Sequence, residues 1–239
     1  MPDKSRSLLC IFAHPDDESF GPGGTLAKYA ASGTRITVIS ATRGEGSTLG
    51  RETHQAKLGD VREAEMRCAS EALGLAESRV LHYPYTGLND VDDGELCNLV
   101  TNAIAELKPD VVMAFGPGGI TGNPDHVAIT RAATSAIQRM PQQLRPSLFY
   151  WAIPEAIASR LRELSDIPFV GVPKQDINTV IDTSDFLETQ LNAIRCHKSQ
   201  SDPMPPVLTE RLKMHAGDEY FVRVGPGADS ENISNDIFS

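Results

Sequence analysis

With 239 residues and a formal net charge of −10, the chain is long enough to bury one substantial core, and its average surface repels nucleic acid and anionic membranes as partners. No apolar run approaches the roughly 20 residues of a membrane helix, and the N-terminal MPDKSRS lacks the apolar segment of a signal peptide, so the expected compartment is the cytoplasm. Cys10, Cys68, Cys97 and Cys196 are scattered with no CxxC spacing, and each reads as a small core residue kept reduced.

SLLCIFA, Ser7 to Ala13, is a short apolar run that reads as a buried strand. GGTLAKYAASG follows as a helix closed by Gly33, and the β-branched RITVISAT (Arg35 to Thr42) as a second strand, which makes one βαβ unit. After a polar loop, a helix is expected to open at Asp60, with Glu63 three residues on in a capping-box arrangement, and to end near Gly74. RVLHYPY (Arg79 to Tyr85) reads as a strand. The helix after Asp92 carries Leu96, Leu99, Val100, Ala103, Ile104 and Leu107 on one face. PDVVMAF (Pro109 to Phe115) is a buried strand, followed by a helix from about Asp125 to Met140 and by the strand SLFYWAI. The remainder is less regular: a short helix Glu155 to Leu164, a strand NTVIDT, a long helix from about Ser184 to Ser199 and a late strand EYFVRV.

Strand and helix alternate throughout, so the expected fold is a single Rossmann-like α/β domain, with an open, mostly parallel sheet flanked by helices on both faces. Residues 1–6 and 226–239 are expected to be disordered tails, the second docked at most through Ile237 and Phe238.

In such a sheet, ligands bind beyond the carboxyl ends of the strands, where loops converge. Three loops there carry polar groups: HPDDE after the first strand, RGEG after the second and GPGGITGNPDH after PDVVMAF. Asp16, Asp17 and Glu18 repel one another unless a cation sits among them. An isolated His or Asp at a strand end is ordinarily a cap or a solvated loop residue. Two clusters of His and Asp at two strand ends instead match the donor set of a catalytic metal, with His14, one acid of the first loop and His126 as three ligands. An acid beside them stays free to act as a base.

At these residues the chain resembles the LmbE-like, or PIG-L, family of metal-dependent sugar N-deacetylases. The resemblance is carried by AHPDDE (Ala13 to Glu18), the turn from Gly21 to Thr25 and FGPGGITGNPDH (Phe115 to His126). It extends through VISATRGEGSTLG, the R-E-x-E segment from Arg62 to Glu65 and AIRCHKSQ from Ala193 to Gln200. The resemblance implies His14, Asp17 and His126 as ligands of one divalent metal, zinc first and iron(II) second, and Asp16 as the general base. The reaction it implies is hydrolysis of an N-acyl group, typically acetyl, from an amino sugar or glycoconjugate. It also implies a small-molecule partner, with homo-oligomerisation common in such families.

One position departs from the family pattern. Members commonly read HPDH where this chain reads NPDH, so Asn123 replaces a histidine implied in oxyanion stabilisation or proton donation and oriented by the aspartate at Asp125. Asn donates a hydrogen bond but carries no proton to give. Three explanations stand open: Asp16 handles both proton transfers, another histidine such as His197 or His215 enters the site, or catalysis is weak or altered. Arg51 matches a loop arginine that resembles sugar contacts in the family, although an arginine in a glycine-rich loop is commonly just solvated. Glu18 reads as a cap or a brace of the first loop, and His197 as a structural histidine or an active-site one. Two competing readings are a non-catalytic sugar-binding member of the fold and a nucleotide-binding protein. GPGG is not G-x-G-x-x-G, and the adjacent acids would repel a pyrophosphate.

Overall fold

The first apolar run, SLLCIFA, forms an interior strand of the sheet. β1 (Ser7–Phe12) is buried over its last five residues and pairs in parallel with β2 (Arg35–Thr42) on one side and β4 (Val111–Phe115) on the other. This computed structural model describes residues 6–47, 55–201, 204–215, 217–225 and 233–239. Beyond β2 lies β3 (Glu77–Tyr83); beyond β4 lie β5 (Ser147–Ala152), β7 (Asp218–Val224) and β6 (Thr179–Asp182), giving the order β3-β2-β1-β4-β5-β7-β6. The first five strands are parallel, and β7 is antiparallel to both of its neighbours.

The chain therefore runs outward from β1 to β3, returns, and continues from β4 in the opposite direction. Right-handed crossovers then put the β1–β2 and β3–β4 connections on opposite faces. On one face α2 (Gly23–Ala31), α3 (Gln55–Leu73) and α8 (Leu187–Cys196) pack together; on the other α4 (Asp93–Leu107) packs on α6 (Pro124–Arg139). The remaining helices are the short α1 (Asp17–Phe20), α5 (Gly119–Gly122) and α9 (Lys198–Ser201), with α7 (Glu155–Leu164) and α10 (Pro206–His215). The direction reverses between β1 and β4, which leaves a crevice at their carboxyl ends.

Local chemistry explains most boundaries. Asp92 caps α4 by accepting from the backbone N–H groups of Gly94 (2.9 Å) and Glu95 (3.1 Å). Its Leu96, Val100, Ala103 and Ile104 are buried, as the stripe requires. The first N–H groups of α2 have no capping side chain of their own loop. Glu219 of β7 takes that place, accepting from Gly24 (3.0 Å) and Thr25 (2.8 Å), and so ties the last strand to the first loop.

Four expectations need correction. α3 begins at Gln55, so Asp60 is inside the helix; its carboxylate pairs with Arg43 instead of capping. The long helix expected from 184 to 199 opens with a 3-10 turn (Ser184–Phe186) and breaks at His197 (φ −81°, ψ 56°) into α8 and α9. Cys68 and Cys196, expected to be reduced, form a disulfide across the α3–α8 contact, while Cys10 and Cys97 are free and buried; a separation of 128 residues leaves no local pattern to read. The C-terminal segment is held by more than Ile237 and Phe238: Ser234 bridges to Thr179, and the Tyr29 hydroxyl donates to Asp236 (2.9 Å) while accepting from the Ile237 N–H (2.9 Å).

Candidate active site

Two loops at the reversal point build the site. After β1 the chain turns at Asp16, whose φ of 131° is a left-handed value rare outside glycine, and enters α1. The turn is held from several directions. Glu18 accepts the Asp16 N–H (3.0 Å) and the Ser19 hydroxyl (2.7 Å), and pairs with His197 Nε2 at 2.6 Å, both side chains being fully buried. Burial pushes the Glu18 carboxyl up, but the charge and hydrogen bond of His197 more than offset this and hold it below its usual value.

After β4, the loop from Gly116 reaches α6, where Asn123 Oδ1 accepts from the Asp125 N–H (2.9 Å) and Pro124 occupies the first turn. This cap sets Asp125 and His126 at the helix start, facing the end of β1. The His126 ring stacks on Phe115 with centroids 4.1 Å apart. Gly119 sits at φ +63°, and a Cβ there would lie 2.9 Å from the His126 Cβ, so glycine is required for this approach.

His14, Asp17 and His126 offer ligand atoms that all lie within 4.8 Å of one another, and all three side chains are buried. Their hydrogen bonds define which atoms face inward. His126 Nδ1 is 3.0 Å from the Gly119 carbonyl, which only accepts, so Nδ1 carries the proton and Nε2 a lone pair. His14 Nε2 is 3.1 Å from the Asp125 carboxylate, so its Nδ1 presents the lone pair. These two lone pairs face each other at 3.1 Å, with Asp17 Oδ1 3.4 Å from His126 Nε2. Asp17 Oδ2 is held by the backbone N–H groups of Ala13 (3.2 Å) and His14 (2.8 Å). Two imidazole acceptors and a carboxylate converging with no proton between them fit a divalent cation. Burial lowers the His126 pKa to about 3, so the ring is neutral, as a ligand must be.

Asp125 lies behind His14 and is fully buried. It accepts from the backbone N–H groups of Thr86 (2.7 Å) and Leu88 (3.0 Å) as well as from His14. Burial alone would raise its carboxyl; the His14 hydrogen bond and the two amides bring it below its usual value. Its carboxylate is thus directed to His14, while position 123 receives only its backbone N–H.

Asp16 stands beside the three-donor set. Its Oδ2 is 2.9 Å from Arg62, a residue of α3 that is itself buried and also donates to the carbonyls of Gly44 (3.0 Å) and Pro15. Gly44, at φ +64°, leaves the space the guanidinium fills. Burial lifts the Asp16 carboxyl to about 6, with Arg62 pulling the other way. Among non-glycine residues with left-handed φ, Asp16 and Ile120 line the site and Thr86 donates to Asp125, so backbone strain concentrates here.

The three donors open onto a cavity of about 300 Å³, lined by His14, Asp16, Asp17, Asn123 and His126 together with Arg62, Tyr85 and Trp151, with Asp125 and Glu18 behind its wall. Neither His197 nor His215 lines it: His197 is committed to Glu18, and His215 sits under β7 with its Nδ1 3.0 Å from the Asp218 carbonyl. Arg51 lies outside the described residues. Sequence reasoning gave no role to Arg62, Tyr85 or Trp151. The R-E-x-E segment pointed at Arg62 without saying what it does, and Trp151, at the end of β5, is the single tryptophan of the chain.

The sequence profile of PIG-L, GlcNAc-PI de-N-acetylase, matches residues 9–137, more than half of the chain and both site loops. The chain belongs to the PIG-L family. Among its relatives, a 1D-myo-inositol 2-acetamido-2-deoxy-alpha-D-glucopyranoside deacetylase of Saccharomonospora viridis is 33% identical over 81% of this chain and 84% of its own length. The enzyme of the same name from Rhodococcus jostii is 29% identical over 98% of this chain and 97% of its own. In three dimensions, a conserved protein of Thermus thermophilus superposes with a TM-score of 0.68 at 28% identity, covering 93% of this chain and 95% of that one. Among the described residues, no helix is long and apolar enough to cross a membrane.

Proposed function

We propose that the protein is a metal-dependent amidohydrolase that removes an N-acyl group from the amino sugar of a small glycoconjugate, with one divalent cation held by His14, Asp17 and His126. The observation that carries this reading is the convergence of the two imidazole lone pairs and the Asp17 carboxylate beside Asp16. Family membership and relatives named for a 2-acetamido-glucopyranoside support the substrate class. Two imidazoles and one carboxylate suit zinc and iron(II) alike, and zinc is the first choice. When bound, the cation polarises the amide carbonyl and makes water a stronger nucleophile.

The chain's own residues do the rest. Arg62 anchors Asp16 Oδ2, which fixes the carboxylate plane and leaves Oδ1 to take the proton of the attacking water. The same oxygen returns that proton to the departing amine nitrogen. Asn123, on the cavity wall, contributes a neutral amide donor only. Asp125 is a positioning residue that keeps the His14 proton on Nε2.

The test is amine release from N-acetylglucosaminyl conjugates by zinc- or iron-loaded protein, with metal content measured in parallel. Asp16→Asn is expected to lose at least about 100-fold in kcat with metal retained. Full activity in that variant, or no metal bound by the parent protein, sinks the reading.

A further inference from the structure

The strand order divides the cavity across the candidate metal centre. On the β2–β3 side its described wall is polar: Ser47 follows β2, Tyr85 follows β3, and Gln200 of α9 accepts from the Ser47 hydroxyl at 2.8 Å. On the β5 side the wall is apolar, built from Trp151, Ile153, Ile167, Phe169, Val207 and Leu208, contributed by β5 and the residue that follows it, the segment after α7, and α10. His14, Asp17 and His126 lie between the two, at the ends of β1 and β4. Among the described residues, the charged group at the apolar end is Arg211. It donates to the Phe20 carbonyl, lies 5.2 Å over the Trp151 ring and has the buried Glu219 as counter-charge.

An amide centred on the triad has two arms. A sugar needs hydroxyl partners and finds them on the Ser47 and Tyr85 side; facing the β5 wall, its hydroxyls would be desolvated without partners. The other arm of the amide is the acyl group. We infer that the β5 side of the cavity is an acyl-chain subsite, and that the preferred substrates carry an uncharged apolar N-acyl chain of about four to eight carbons rather than acetyl alone. This rests on the proposed amidohydrolase reading for the orientation of the amide. The cavity of about 300 Å³ serves both arms of the amide, and the six apolar side chains on its β5 side form more wall than an acetyl methyl alone can touch. Ile167 is 37% exposed, which places it at the rim, where a chain would enter.

Trp151 lies in this wall and is the only tryptophan, so its fluorescence reports occupancy without turnover. Metal-loaded Asp16→Asn protein would be titrated with N-acetyl-, N-hexanoyl- and N-adipoylglucosamine and with phenyl N-acetylglucosaminide. Each methylene buried contributes about fourfold in affinity, so the hexanoyl compound is expected to bind at least about tenfold tighter than the acetyl one, with a Trp151 spectral change. The adipoyl compound, of equal reach but charged at its end, is expected to gain nothing. The paired change Ile167→Ser with Val207→Ser is expected to bring the hexanoyl-to-acetyl ratio below about threefold. Equal affinity of hexanoyl and acetyl compounds overturns the inference, as does tighter binding of the adipoyl compound or a gain confined to the phenyl glycoside. Tight hexanoyl binding without amide cleavage by the parent protein supports the subsite and overturns the hydrolase reading, which separates the two.

Discussion

His14 Nδ1 and His126 Nε2 face each other at 3.1 Å with both ring protons directed away, one to the Asp125 carboxylate and one to the Gly119 carbonyl. Two lone pairs and the Asp17 carboxylate in one buried place repel until a cation joins them. Metal binding is therefore expected at one ion per chain and to be linked to folding. At free metal about 100 times its Kd, the ion adds about 2.7 kcal/mol to unfolding, and chelation should lower Tm accordingly in a calorimetric scan. Asp125→Asn removes the carboxylate from His14 while keeping its shape; metal affinity is expected to fall about 10- to 100-fold in competition with a chromogenic chelator. Unchanged affinity would show that His14 does not depend on Asp125.

Asn123 has two relationships that can be separated by mutation: its Oδ1 caps α6, and its side chain lines the cavity. Asn123→Ala is expected to cost about 1 kcal/mol in a denaturant melt through the lost cap. Asn123→His sacrifices a similar amount but brings a protonatable donor to the wall. Donors aimed at a developing oxyanion are worth about 2.7–4 kcal/mol; recovering part of that predicts a roughly tenfold rise in kcat. No rise would mean that a group other than residue 123 already stabilises the transition state.

Elements governed by local chemistry were legible in the sequence, and those governed by distant contacts were not. β2 and α7 have the boundaries their patterns imply, because β-branched residues and the 3.6-residue stripe act within each segment. The break at His197 could not be read, since the group that holds its ring there is Glu18, 179 residues away in the chain. Asp60 and Glu63 have the spacing of a capping box, yet their carboxylates go to Arg43. At the site, the two short His and Asp motifs sit at strand ends that the hydrophobic runs predict. Arg62 stayed hidden because a buried arginine on an amphipathic helix is spelled like an exposed one, and only the fold supplies Asp16 and the Gly44 carbonyl as its partners.

The Cys68–Cys196 disulfide joins the two helices behind the first loop, at a Cα separation of 5.7 Å. α3 also carries Glu65, whose carboxylate accepts from the Ser199 N–H (2.7 Å) and hydroxyl (2.6 Å) just past Cys196. A cross-link closing a loop of 128 residues restricts the unfolded chain strongly. Cys68→Ser with Cys196→Ser is expected to lose about 3–5 kcal/mol of stability. Thiol titration of the unfolded, unreduced protein should find two thiols, Cys10 and Cys97; four would disprove the bridge.

His215 predicts a pH dependence that the metal centre does not share. Burial and the neighbouring Arg211 push its pKa from 6.5 down to about 3, while Nδ1 donates to the Asp218 carbonyl and Nε2 is buried with no partner among the described residues. The groups around it are Arg211 on its own helix and Asp218, Glu219 and Tyr220 on β7. Since the folded pKa lies below the unfolded one, the unfolded chain binds a proton between about pH 6.5 and pH 3 that the folded chain refuses. The stability contribution of a neutral His215 is thus complete above 6.5 and is lost as pH falls, at up to about 1.4 kcal/mol per pH unit. His215→Asn keeps a donor for the Asp218 carbonyl but does not titrate, so its unfolding free energy should fall less steeply than that of the parent protein between about pH 6 and pH 4. Parallel acid limbs in urea melts across that range would mean that His215 is charged in the folded protein, with its unpartnered Nε2 reaching an acceptor.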